Sequence, residues 1–184
     1  GGPLFRSADA AATWSISSAG ITRASLYALA VAPSSPSTIF AGADDDNGGD
    51  VFKSTDGGSN WVAVSAGLTD ARVHAIAVDP TTASTVYIGT RSAGVFKSTN
   101  GGASWSPTSL KVGFVTALAV DPVTPATVYA GTDSSGFYKS TDGGATWAAD
   151  TNSAFAASTI HSIVIDPATP TNLYVATSTG VYKS

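Results

Sequence analysis

The sequence predicts an all-β protein, a β-propeller built of four-stranded antiparallel blades. Three observations carry that expectation. The first is composition: 184 residues with 12% charged, 43% hydrophobic, 19 Gly, and no Cys, Met, Glu or Gln, so that all 13 acidic residues are Asp. Most good helix formers are therefore scarce, while Val, Thr, Ser, Ala and Gly abound. The second is a box of eleven residues that recurs through the chain. The third is a pair of short apolar runs that recur in phase between successive boxes.

The box appears as Val51 to Trp61 (VFKSTDGGSNW), Val95 to Trp105 (VFKSTNGGASW) and Phe137 to Trp147 (FYKSTDGGATW), which align without a gap. A worn copy, Leu4 to Trp14 (LFRSADAAATW), opens the chain, and Val181-Tyr182-Lys183-Ser184 repeats its first four positions. The serines stand at 7, 54, 98, 140 and 184, spacings of 47, 44, 42 and 44. A repeat near 44 residues carrying four strands is what a propeller blade requires.

Four strands can be placed in each period. Strand A is the run ending Ala-Val-Asp-Pro: Leu26 to Val31, Val73 to Val78, Val115 to Val120 and Ile160 to Ile165. Pro80, Pro122 and Pro167 cannot donate to a ladder, so each ends its strand and opens a turn. Strand B is Thr38 to Gly42, Thr85 to Gly89, Thr127 to Gly131 and Asn172 to Ala176. Strand C is the Val-Phe-Lys-Ser start of the box, and strand D begins near its Trp. Near-continuous apolarity in A and B implies sheets covered on both faces. The whole chain, 1–184, reads as a single repeat domain with windows of about 8–54, 55–98, 99–140 and 141–184. Pro and Ser clusters such as Pro33-Ser34-Ser35-Pro36 read as loops of the repeat.

The pattern S-x-D-x-G-x-T-W resembles the Asp-box, or bacterial neuraminidase repeat, of sialidase-type, sortilin-type and xyloglucanase-type propellers and of photosystem assembly factors. The residues carrying it are Ser54, Asp56, Gly58 and Trp61; Ser98, Asn100, Gly102 and Trp105; Ser140, Asp142, Gly144 and Trp147; and, in the worn copy, Ser7, Asp9 and Trp14. The resemblance implies a structural role for the box, on the face opposite the ligand. The chemistry agrees: a short Asp or Asn side chain accepts turn N–H groups, Gly supplies positive φ, and the Trp is a large packing unit. In the first copy Ala10 and Ala11 replace Gly, which predicts a distorted or differently bonded turn.

Function is less legible. Without Cys there is no disulfide, thiolate nucleophile or Cys-ligated metal. A net charge of −4 with scattered Lys and Arg gives no nucleic-acid footprint. No apolar run approaches the ~20 residues that span a bilayer, so membrane insertion is not expected. A sialidase needs an arginine triad and a Glu; here Arg6, Arg23, Arg72 and Arg91 fall at different phases and Glu is absent. Two Asp could hydrolyse a glycoside, and Asp44, Asp45, Asp46, Asp50, Asp70, Asp133 and Asp150 lie on ligand-side loops, but none sits in a recognisable motif, and no catalytic residue is assigned. Candidate ligand contacts are Tyr27, His74, His161, Arg91 and Asp133. Of these, Tyr27, His74 and His161 share one position of strand A, which in a propeller faces the mouth of the central channel. Asp44, Asp46 and Asp50 lie in a lengthened B–C loop, DDDNGGD; they read either as oxygen ligands for Ca²⁺, the one cofactor suggested, or as a solvated insertion.

The chain begins inside a C-type run and stops at the end of another, which predicts a segment of a larger propeller, or a unit that assembles through open blade edges. The leading functional expectation is a non-catalytic extracellular or cell-surface module that binds glycan or protein. The alternatives are a segment of a secreted glycoside hydrolase and a structural subunit of a polymeric surface assembly.

Overall fold

The computed structural model describes residues 3–21, 25–44, 51–68, 72–152, 154–156 and 158–184. Among them there is no helix, and 17 strands form five antiparallel sheets. The N-terminal hairpin pairs β1 (Phe5–Arg6) with β2 (Ser15–Ile16). The first blade is β3 (Ser25–Ala32), β4 (Ser35–Asp44), β5 (Val51–Ser54) and β6 (Val62–Ala63); the second is β7 (Val73–Val78), β8 (Val86–Thr90), β9 (Val95–Ser98) and β10 (Ser106–Pro107). The third is β11 (Val115–Val120), β12 (Val128–Thr132), β13 (Phe137–Ser140) and β14 (Ala148–Ala149). A three-stranded fourth blade follows: β15 (Ile160–Ile165), β16 (Leu173–Thr177) and β17 (Gly180–Lys183). Each full blade is an A-B-C-D meander, and β1 and β2 correspond to C and D of a preceding blade.

The A strands of successive blades stand side by side, β3 against β7, β7 against β11 and β11 against β15. Close approach is possible because strand B carries glycine there. A Cβ on Gly89 would lie 2.5 Å from Val115 Cγ1, and one on Gly131 would lie 2.4 Å from Ile160 Cγ2. The residues that fill those gaps, Val73, Val115 and Ile160, are fully buried. Strands β8 and β12 are buried at every position, as their continuous apolarity predicts.

The boxes turn between C and D. Ser54 Oγ donates to Asp56 (2.8 Å) and accepts the Gly58 N–H (2.8 Å), while Asp56 accepts the Asn60 backbone N–H (2.9 Å). Asn100 keeps the equivalent bonds with its amide oxygen. The worn copy keeps them too: Ser7 donates to Asp9, Ala11 N–H to Ser7 Oγ, and Thr13 N–H to Asp9. The expectation of a distorted first turn is thus corrected. Ala10 and Ala11 adopt φ of 54° and 70°, near the 68° and 90° of Gly57 and Gly58, because the side-chain bonds hold the turn; the cost is left-handed strain.

A second correction concerns Pro33-Ser34-Ser35-Pro36. Ala32 pairs with Ser35, so only Pro33 and Ser34 form the turn, and Pro36 lies within β4. Strand C pairs with β4 only from Ile39 onward, so the missing N–H of Pro36 interrupts no ladder on that side.

The boxes also set the acid response. Hydrogen bonds from the Asn60 side chain, the Asn60 N–H and Ser54 hold Asp56 at about 2, and Thr13 and Thr146, with Ser7 and Ser140, do the same for Asp9 and Asp142, against an ordinary 3.8. A carboxylate whose folded pKa is depressed stabilises fully above the unfolded value and loses that contribution as pH falls through the folded one. Stability should therefore decline between about pH 4 and pH 2. Asp56→Asn and Asp142→Asn together should flatten that decline in urea titrations run across pH 2–6, and an unchanged slope would contradict it.

Candidate functional site at the inner-strand rim

At the end of the arc where the A strands begin, two positions repeat. Asp44, Arg91 and Asp133 close strand B of the first three blades, and Arg72, Phe114 and Thr159 stand just before strand A of the following blade. Each of the first set meets the second across a blade boundary. Arg72 Nε lies 3.2 Å from Asp44 Oδ1, the Arg91 guanidinium stands 6.0 Å from the Phe114 ring centroid, and Thr159 Oγ1 donates to Asp133 Oδ1 at 2.8 Å. Backbone bonds anchor the pattern within blades, Arg91 N–H to Arg72 O and Asp133 N–H to Phe114 O, both 2.9 Å.

His74 sits in the middle. Its Nε2 lies 3.2 Å from Asp44 Oδ2, and its ring stands 4.5 Å from Tyr27 on one side and 4.5 Å from Phe114 on the other. Burial, opposed by the Asp44 hydrogen bond and charge and assisted by Arg91 and Arg72, pushes its pKa below the ordinary 6.5. At neutral pH it is therefore the uncharged imidazole. A carboxylate can only accept, so Nε2 carries the proton and Nδ1 is left as an acceptor. Arg91 Nη1 flanks the same carboxylate at 3.9 Å. Tyr27 is 57% exposed, whereas the Asp44 and His74 side chains are 13% and 12% exposed. The rim thus presents a row of aromatic rings with a buried carboxylate at its edge, bracketed by two arginines.

Of the residues singled out from sequence, the structure unites Tyr27, His74, Arg91 and Asp44. It separates Asp133, bonded to Thr159 one blade further on, and His161, which is exposed on the fourth blade. His74 and His161, which share one position of strand A, stand apart, with Thr116 of the intervening blade between their strands and its hydroxyl donating to the Ile160 carbonyl. Asp44 is committed to Arg72 and His74. Asp46 and Asp50, its companions in the calcium reading, lie outside the described residues. Among the described residues no three His, Cys, Asp or Glu side chains gather into a metal site, and no helix is long and apolar enough to cross a membrane. Arg72 and Phe114 were missed; their signal is positional, the residue just before each Val-x-Ala start of strand A.

No protein-family model matches the chain, and no curated protein matches it significantly. Solved structures do. The GH74 enzyme of Niastella koreensis is similar at 26% identity and a TM-score of 0.73, covering 86% of this chain and 28% of that one. The GH74 xyloglucanase of Xanthomonas campestris covers all of this chain and 31% of its own at 21% identity and a TM-score of 0.67. YCF48 bound to D1 peptide covers 87% of this chain and 50% of that one, at 16% identity and a TM-score of 0.64. These neighbours are β-propellers, and the chain spans about a third or less of the length of the GH74 structures. It has the fold of a β-propeller segment with four-stranded antiparallel blades.

Proposed function

We propose that this chain is a non-catalytic binding module of a secreted or cell-surface protein, and that it recognises carbohydrate through the rim around His74. The observation that carries the reading is the Tyr27–His74–Phe114 row with Asp44, Arg72 and Arg91 beside it. Flat rings offer stacking faces for a sugar, and the carboxylate, imidazole Nδ1 and guanidinium groups offer acceptors and donors for its hydroxyls. The GH74 likeness in fold supports a saccharide ligand. A peptide ligand is the second reading, supported by the peptide-bound YCF48 structure of similar fold.

A hydrolytic role would need a raised-pKa acid facing an ionised partner. Asp44 is ion-paired, and Asp133 is hydrogen-bonded to a neighbouring blade. The GH74 likeness nonetheless keeps a glycosidase segment as the alternative, and turnover of an oligosaccharide panel separates the two.

Calorimetric titration with xyloglucan oligosaccharides and with unrelated peptides tests the proposal. Tyr27→Ala and His74→Ala should each weaken saccharide binding at least tenfold, on the order of 1.4 kcal/mol. Affinity should also fall as the pH drops through the lowered His74 pKa, below the ordinary imidazole range, because protonating His74 removes the Nδ1 acceptor and adds a third positive charge beside Arg72 and Arg91. Hydrolysis by the wild-type chain, or saccharide binding indifferent to both substitutions, would overturn the reading.

A further inference from the structure

The box tryptophans Trp61 and Trp105 are each sealed by the loop that joins strands D and A of the preceding unit. Trp61 gives its backbone N–H to Ala19 O (2.8 Å) and its indole N–H to Ser17 O (2.8 Å); Trp105 gives the same two groups to Ala66 O (2.9 Å) and Val64 O (2.7 Å). Gly20 and Gly67, with φ of 94° and 90°, lie against the carbonyl oxygens of the two tryptophans, which are 3% and 4% exposed. The sealing loops read Ser-Ala-Gly-Ile at 18–21 and Ser-Ala-Gly-Leu at 65–68.

The boundary between the second and third blades, in the middle of the repeat, departs from this pattern. Twelve positions separate Trp14 from Leu26 and Trp61 from Val73, but ten separate Trp105 from Val115. The missing pair is Ala-Gly. Thr108 stands for Val64, each giving its N–H to the first residue of strand C (Val95 O at 2.8 Å, Val51 O at 2.7 Å), and Leu110 stands for Leu68. Leu110 still reaches the core at 5% exposure, and its carbonyl accepts the Val95 N–H at 3.1 Å. The shorter loop thus turns inward before it crosses the third box. Among the described residues nothing in the second blade accepts a hydrogen bond from Trp147: its indole N–H is bonded to Gly144 O of its own turn, at 3.2 Å, and the residue is half-buried.

Beside the shortened loop lies a groove of about 330 Å³, with residues 106–109 on one side, residues 142–145 on the other, and Lys97 and Thr99 between the two segments in the lining. The hydroxyls of Thr99, Ser106 and Ser109 bond to no other described residue. Lys97 Nζ spends one of its three donors on Gly143 O (2.8 Å).

We propose that this groove binds an N-acetylated amino sugar, at a site separate from the rim around His74. The deleted Ala-Gly pair takes away one peptide carbonyl and a methyl-sized filling, and an acetamido group restores both. Its oxygen accepts the Trp147 N–H as Ala66 O accepts that of Trp105, and its methyl takes the space of the small residues. The hydroxyls of the sugar ring then meet Thr99, Ser106, Ser109 and the remaining Lys97 donors, in a groove at the small end of the range for ligand sites. A plain sugar lacks the carbonyl; a peptide supplies it but leaves the three lining hydroxyls with fewer partners.

Two-dimensional ¹H–¹⁵N NMR titration of the 184-residue chain with chitotriose, and with cellotriose as the matched sugar without acetamido groups, tests the proposal. Chitotriose should shift the Trp147 backbone and indole resonances, and cellotriose should bind there at least tenfold more weakly. Inserting Ala-Gly between Ser109 and Leu110 rebuilds the seal of the other boundaries, so it should abolish those shifts and leave Tm equal or higher. Thr99→Ala and Ser109→Ala, which keep the loop length, should each weaken chitotriose binding at least threefold. Tyr27→Ala should leave it unchanged, so failure of this site and failure of the rim site are read separately. Trp147 resonances unmoved by chitotriose, equal binding of cellotriose, tighter binding of an acetyl-Ala-Gly-amide peptide, or undiminished binding in the insertion variant or in both alanine variants would each overturn the proposal.

Discussion

Trp105→Ala is expected to lower the unfolding free energy by about 3–5 kcal/mol, the range for truncating a large buried aromatic. Domains of this kind have roughly 5–15 kcal/mol in all, so about a fifth or more of the stability should go. Trp105 is 4% exposed and belongs to the cluster that joins the first two blades, with Phe40 and Val51 on one side and Val86, Ile88 and Phe96 on the other. Its indole N–H is bonded to Val64 O at 2.7 Å, and its backbone N–H to Ala66 O at 2.9 Å. Truncation empties a space the surrounding strands cannot refill, because their ladders fix their spacing. Trp14→Ala, at the same box position but 62% exposed, should change the stability of the monomeric chain by no more than about 0.5 kcal/mol. Urea unfolding measures both, and equal costs would show that the box tryptophan is not the seal between blades.

Gly67→Ala is expected to cost about 3 kcal/mol or more, although it adds one methyl group. Two penalties combine. Gly67 has φ of 90°, where an L-residue loses roughly 1–2 kcal/mol. The new Cβ would also lie 2.4 Å from the Trp105 carbonyl oxygen and 3.3 Å from its nitrogen, backbone atoms that the next box holds in place. Gly113→Ala is the control: nothing lies within 4 Å of a Cβ there and φ is not positive, so it should be neutral or stabilise by about 0.4–1 kcal/mol. Because Gly67 and Trp105 share one contact, the double variant should cost less than the sum. An additive result would separate the two effects and count against the shared seal.

Ala10 and Ala11 show what sequence reading can and cannot do with such positions. Their identity suggests a distorted or differently bonded turn, but the turn keeps its form because Ser7 and Asp9 make the same bonds as Ser54 and Asp56. A hydrogen-bond network is specified by a few residues and can hold a strained φ. Whether strain or rearrangement wins is an energy difference that residue letters do not display. The Pro33–Pro36 cluster was misread for a similar reason, since proline is excluded from a strand only where a neighbouring strand needs its N–H.

Local pattern renewed about every 44 residues is enough to set the repeat: strand order, the C–D turn chemistry and the complete burial of β8 and β12; the A strands, expected to be covered on both faces too, leave Leu29, Val31 and Val164 exposed on the outermost blades. The sequence also marked Tyr27, His74, Arg91 and Asp44 one by one. Only the tertiary structure decided that these four meet, that Arg72 and Phe114 join them, and that Asp133 and His161 do not. Rim contacts cross blade boundaries, between residues some 23 to 47 positions apart. Their meeting depends on how closely glycine lets one blade approach the next, a distance that periodicity within a blade does not set.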